Sequence, residues 1–172
     1  MTNDSSSLRV LVADLLKRVG AQRAITVEAP MEGLAAGVAA VAETDPVSVD
    51  VTLERIAEGI VVRGTIAADW HAPCARCLGP SDGHVVVGVD ELFETEPEPG
   101  ETYLLDVDTI DLDPLVRDAL VLELPQAPLC RDDCAGLCPQ CGVDRNEASC
   151  DCTDAVTDPR WAALGALDLE SS

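Results

Sequence analysis

Eight cysteines fall into four close pairs along the chain, Cys74/Cys77, Cys130/Cys134, Cys138/Cys141 and Cys150/Cys152. Thiols spaced this tightly restrict the fold more than any hydrophobic run in the sequence. A tetrahedral Zn²⁺ takes four thiolates at about 2.3 Å, and two residues between cysteines let one turn aim both sulfurs at one ion. Four pairs therefore predict two structural zinc ions with all eight cysteines as ligands. Cys138-Pro139-Gln140-Cys141-Gly142 is the sharpest piece, because a glycine after the second cysteine accepts the positive φ that turns backbone N–H groups toward sulfur.

Two other uses of cysteine compete. A disulfide framework needs export, but Met1 leads into Thr-Asn-Asp-Ser-Ser-Ser with neither a basic segment nor a long apolar one. The expected location is cytoplasmic, where thiols stay reduced. A redox Cys-x-x-Cys needs one pair, and four are present. Closed four-thiolate sites leave no coordination position for water or substrate, so they hold structure rather than catalyse.

Keeping each pair intact, Cys74, Cys77, Cys130 and Cys134 form one favoured group and Cys138, Cys141, Cys150 and Cys152 the other. The second group closes locally. The longer loop of the first adds little cost, since closure entropy grows logarithmically with length. The rival places the two Cys-x-x-Cys knuckles, 74/77 and 138/141, on one ion as in a zinc ribbon. His71 and His84 flank the first knuckle and read as ordinary strand residues.

Charge is the second constraint. The chain carries a formal −21, and its acidity peaks over residues 71–129, where thirteen acids face two bases. Nucleic-acid binders neutralise phosphates with Lys and Arg, whereas this chain has ten Arg and one Lys. Such a surface favours a basic protein partner. Arg9, Lys17, Arg18 and Arg23 make the N-terminal end the one locally positive place. Aromatic residues are few, so Val, Leu, Ile and Ala must supply the core. No stretch approaches the roughly 20 apolar residues of a membrane span.

The hydropathy pattern predicts an α+β fold, a mainly antiparallel sheet with a few short helices and cysteine-rich zinc-binding knuckles. Residues 1–7 read as a disordered tail, 8–129 as a sheet-dominated domain carrying the first knuckle, 130–152 as a cysteine-rich zinc module, and 153–172 as a short helix and tail. Leu8, Leu11, Val12, Leu15, Leu16 and Val19 follow the spacing of an amphipathic helix ended by Gly20. Val47, Val49, Val51 and Leu53 alternate with polar residues as a half-buried strand, and Ile60, Val62, Ile66 and Trp70 resume the alternation after a turn at Ala57-Glu58-Gly59. Residues 84–93 make a further strand, so Cys74 and Cys77 cap a strand–loop–strand unit. Residues 25–27 suit a strand, and 30–42 have no clear assignment. Glu94 to Glu101 is an acidic loop, followed by a strand over 103–107. Asp113-Pro114 starts a helix with an N-cap carboxylate and a preorganised first turn. Asp158-Pro159 repeats that start for a short helix over 159–167 bearing Trp161 and Leu164.

Other chemistry is sparse. The sequence has no phosphate-cradling glycine loop and no Gly-x-Ser-x-Gly. The run Asp106, Asp108, Asp111, Asp113 lacks the glycine and distal glutamate of a calcium loop. The chain reads as a non-enzyme.

Taken in order, Glu58-Gly59-Ile60-Val61-Val62-Arg63-Gly64, Cys74-Ala75-Arg76-Cys77-Leu78, Ile110-Asp111-Leu112-Asp113-Pro114-Leu115-Val116-Arg117-Asp118, Leu124-Pro125, Cys134-Ala135-Gly136-Leu137-Cys138-Pro139-Gln140-Cys141-Gly142 and Asp158-Pro159-Arg160-Trp161 resemble the bacterial YceD family of large ribosomal RNA subunit accumulation proteins. The resemblance implies a cytoplasmic part in making or stabilising 23S rRNA, without known catalysis. It leaves two partners open. An acidic face can hold a basic large-subunit ribosomal protein, or the knuckles and the Arg9–Arg23 segment can contact ribosomal RNA. An alternative is a zinc-ribbon nucleic-acid-binding adaptor unrelated to ribosomes.

Overall fold

A computed structural model describes residues 8–152 and Arg160. The described residues form β1 (Arg9–Leu11), a 3₁₀ turn (Leu15–Lys17), β2 (Gln22–Pro30), β3 (Ala35–Ala36), β4 (Ala39–Ala40), β5 (Pro46–Arg55), β6 (Ile60–Pro73), β7 (Pro80–Glu94), β8 (Tyr103–Asp106), β9 (Thr109–Asp111) and α1 (Asp113–Glu123). The expected tail over residues 1–7 and helix over 159–167 lie outside the described residues. The chain divides after Cys134 into two compact units.

The long β6–β7 hairpin organises the first unit. Its register runs from Ile60↔Phe93 to Pro73↔Pro80. β5 pairs with the first half of β6 and β2 with β5, while β4 meets β6 further along at Ala40↔His71. On the other side β7 is followed by β8, β9 and β1. Alternation drives these pairings: Val47, Val49, Val51 and Leu53 are all at most 2 % exposed, which buries one face of β5 and fixes its register.

Sequence alternation leads to a mainly antiparallel sheet with a few short helices, and the structure corrects both points. The sheet is mixed, because β8 joins β7 in parallel through Phe93↔Tyr103 and Glu94↔Leu104. Buried Phe93 stacks on Tyr103 with ring centroids 5.1 Å apart, a favourable offset arrangement that ties the two strands at this point. Among the described residues α1 is the one α-helix.

The helix expected over Leu8–Val19 is instead β1 and the 3₁₀ turn. β1 pairs with β9 through Arg9↔Asp111, and the Val12 N–H donates to Asp108 O, so backbone pairing to a distant strand displaces the local helical period. Leu8, Val12 and Leu15 still reach the core. Residues 30–42, unassigned from sequence, carry β3 and β4 and bury Met31, Leu34, Ala39 and Val41. Helix α1 begins at Asp113 as expected, but the capping carboxylate belongs to Asp111, whose Oδ1 accepts the Asp113 N–H. Leu115, Val116 and Leu120 turn inward and join the sheet core.

Candidate metal centres

The β6–β7 hairpin ends in the first knuckle, Cys74-Ala75-Arg76-Cys77. Its backbone is closed by the Cys74 N–H to Gly79 O at 2.7 Å and the Leu78 N–H to Cys74 O at 3.0 Å. Cys138-Pro139-Gln140-Cys141 closes the same way, with the Cys138 N–H to Val143 O at 2.8 Å and the Gly142 N–H to Cys138 O at 2.9 Å. The residue after each second cysteine takes positive φ, 62° at Leu78 and 75° at Gly142. One turn geometry is therefore used twice, once with glycine and once with leucine. Both knuckles were legible from their spacing; glycine at 142 also announced the positive φ of its turn, whereas leucine at 78 gave no such sign.

Each knuckle meets a second cysteine pair from its own unit. The sulfurs of Cys74, Cys77, Cys130 and Cys134 all lie within 4.8 Å of one another, as do those of Cys138, Cys141, Cys150 and Cys152. In the first cluster Sγ of Cys74 is 3.8 Å from Sγ of Cys134, and Sγ of Cys77 is 3.7 Å from Sγ of Cys130. A tetrahedron with sulfur about 2.3 Å from its centre has edges of about 3.8 Å, whereas a disulfide closes to about 2.05 Å. None of the eight cysteines is in a disulfide. The spacing fits a cation of zinc's size between four sulfurs.

The electrostatics also fit. Backbone N–H groups of Cys77, Cys130 and Arg76 hold the Cys74 thiol down to about 6. Burial, then the neighbouring thiols, push Cys130 up to about 12. Cys77 is raised as well: the Gly79 N–H pulls it down, and burial with the Cys134 and Cys74 thiols outweighs that pull. In the second cluster, N–H groups of Cys141 and Gln140 lower Cys138 to about 6, while the Cys141 thiol and burial raise Cys152 to about 12. Each cluster therefore holds one thiol that loses its proton readily, Cys74 or Cys138, beside one that resists losing it, Cys130 or Cys152. A dication removes that resistance.

Residues beyond the cysteines shape the first cluster, and sequence spacing did not single them out for this role. Arg76 Nη1 donates to the carbonyls of Asp132 and Cys134, at 3.2 and 3.0 Å. The Ala75 N–H donates to Pro128 O at 2.7 Å. Ser81, 4 % exposed, donates from Oγ to Leu129 O at 2.9 Å, just before Cys130. These bonds fasten the segment carrying Cys130 and Cys134 to the hairpin. In the second cluster Arg145 Nη2 lies 3.8 Å from Sγ of Cys138, and the Ala135 N–H donates to Oδ1 of Asn146 at 2.8 Å.

The two histidines stand apart from both clusters. His71 pairs with Asp45 and His84 with Asp69. Arg9 pairs with Asp111 and Arg23 with Asp14, so two of the four N-terminal cations are already engaged. No helix of the described residues is long and apolar enough to cross a membrane.

A sheet scaffold bearing two four-cysteine clusters, each able to enclose a metal ion, is the class of protein that this structure defines. Residues 62–168 match the family described as "Large ribosomal RNA subunit accumulation protein YceD", and the chain belongs to that family. It is 38 % identical over 170 residues to the uncharacterized protein Rv2926c of Mycobacterium tuberculosis, covering 93 % of this chain and 81 % of that one. ML1660 of Mycobacterium leprae is 37 % identical over 127 residues, 69 % of this chain and 58 % of its own. YlbN of Bacillus subtilis is 31 % identical over 108 residues, 60 % and 63 % of the two chains. No solved structure matches the chain.

Proposed function

We propose that this protein is a non-enzymatic zinc-binding factor in formation of the large ribosomal subunit, promoting synthesis, processing or stability of 23S rRNA in the cytoplasm. Membership of the accumulation-protein family carries the reading. Two clusters of four thiols, each on a Cys-x-x-Cys knuckle, supply its physical basis, with all eight cysteines as ligands. Zinc here acts on stability: saturated thiolate sites give no open position for chemistry. The two ions fasten loops to a scaffold whose aromatic residues make up only 2 % of the chain. The second cysteine group, Cys138 to Cys152, is read as a separable, locally closed site.

Between the two partners, charge favours a basic large-subunit ribosomal protein over bare RNA. Thirteen acids against two bases over residues 71–129 repel phosphate and attract Lys- and Arg-rich chains. Removing the gene and measuring the ratio of 23S to 16S rRNA tests the reading. A fall in that ratio, restored by the wild-type chain and not by one with Cys74→Ser and Cys77→Ser, is expected. An unchanged ratio overturns it. Elemental analysis of purified protein tests the metal separately, with two zinc ions per chain expected and iron or no metal as the contrary results.

A further inference from the structure

The chain has two histidines, and both lie in one surface depression on the β6–β7 hairpin. The strands present the same tripeptide pattern there: Asp69-Trp70-His71 on β6 and Asp82-Gly83-His84 on β7. The register sets His71 opposite Asp82 and Asp69 opposite His84. Since side chains two apart on a strand share a face, these four residues form a square on one side of the sheet. Asp45, from the turn before β5, joins them beside His71. Together with Gly83 they line a depression of about 490 Å³.

Each imidazole is backed by its own carboxylate. His71 Nε2 lies 3.1 Å from Asp45 Oδ2, and His84 Nδ1 lies 2.7 Å from Asp69 Oδ1. The second ring nitrogen is left over in both cases, Nδ1 of His71 and Nε2 of His84. Metal-binding histidines show this arrangement, one nitrogen toward the ion and the other held by a carboxylate that fixes the ring. The Asp82 carboxylate has no hydrogen-bond or ion-pair partner among the described residues, yet Asp82 sits across from His71 and two residues before His84. Two imidazoles and one unpaired carboxylate suit divalent transition metals with vacant positions. Three carboxylates, Asp45, Asp69 and Asp82, outnumber the two imidazoles and leave the depression anionic.

The reverse face is locked. A Cβ at Gly83 would lie 2.7 Å from Cζ2 of Trp70, so the indole occupies the space that any side chain would need. That packing holds both tripeptides against each other. The side chains of His71 and His84 are 57 % and 58 % exposed, so both imidazoles are open to solvent. They stand as two separate His–Asp contacts, since among the described residues only the two cysteine clusters bring three or more candidate ligands within 4.8 Å. Gathering them onto an ion costs rotamer freedom, so the affinity should be modest.

We propose that His71, His84 and Asp82 form a surface site for a divalent transition-metal ion, with Asp45 and Asp69 as positioning residues and no part for the cysteines.

The test is a Ni²⁺ titration of the zinc-replete, full-length protein, followed by the imidazole NMR signals of the two histidines and by near-ultraviolet absorption. One further Ni²⁺ per chain is expected, perturbing both histidines with one midpoint and adding no thiolate-to-nickel band. His71→Gln, His84→Gln and Asp82→Asn should each weaken binding roughly tenfold or more. Asp90→Asn, an acid on β7 outside the depression, should change nothing. Three results overturn the proposal: no saturable binding, unrelated midpoints for the two histidines, or a thiolate band rising with the histidine response. Full affinity in the Asp82→Asn protein removes the carboxylate from the ligand set and refutes the site as stated.

Discussion

Leu78 occupies in the first knuckle the place that Gly142 holds in the second, with φ of 62° and 75° and the same backbone bond to the first cysteine of its pair. A side chain in this region costs about 1–2 kcal/mol, partly offset in a glycine variant by the freer unfolded chain. Leu78 is 67 % exposed, so its removal opens no cavity. Leu78→Gly should stabilise the protein by about 0.5–1 kcal/mol, and Gly142→Ala should destabilise the second knuckle by about 1 kcal/mol. Thermal melts of the zinc-loaded proteins check both; a destabilised Leu78→Gly variant would show that the leucine itself is needed.

Metal loss should be separable. Cys138→Ser is expected to lower zinc content from two ions to one while the sheet unit keeps its melting transition. Cys74→Ser removes a fully buried thiol of the first cluster and should also lower the stability of the sheet unit. Elemental analysis beside circular dichroism reads both quantities.

Ser81→Ala leaves the Leu129 carbonyl without its buried donor. The expected cost is about 1–3 kcal/mol in denaturant unfolding. Because the next residue is Cys130, chelator competition should show faster zinc loss from the first cluster alone.

Phe93 is fully buried and stacked on Tyr103. Phe93→Ala should cost about 3–5 kcal/mol, measured by urea titration, since the aliphatic surroundings cannot refill the ring's volume.

Burial, then the hydrogen bond to the Asp118 carboxylate, raises the Tyr103 hydroxyl from about 10 to about 12. A raised folded value means that the folded state keeps its proton longer than the unfolded one. This contribution is complete below pH about 10 and is lost as pH climbs toward about 12. Alkaline titration of stability should show that decline, and Tyr103→Phe should remove it.

Much of the scaffold was legible because burial on one face writes a period of two into the chain. Val47 to Leu53 and the β6–β7 hairpin came from that signal, and the cysteine groups from spacing and loop length. The first segment misled because Leu8, Val12 and Leu15 suit a helix as well as a short strand and turn; the choice is made by β9, a hundred residues away. β9 itself was hidden in a run of aspartates that read as turn and cap, with Ile110 as its one fully buried residue. Leu78, Arg76 and Ser81 act through backbone atoms of partners distant in sequence, and single-residue patterns carry no trace of such bonds. The two Asp-x-His tripeptides became a constellation once the register had set them side by side.

The first cluster joins Cys74 and Cys77 to Cys130 and Cys134 across β7, β8, β9 and α1. During translation its two leading thiols emerge as a half-built cage and must wait for more than fifty further residues before the cage can shut. Nascent or truncated chains ending before Cys130 cannot complete that four-cysteine cage. Closure of this cage therefore certifies a finished scaffold, whereas the second draws all four of its cysteines from residues 138–152 and can close locally.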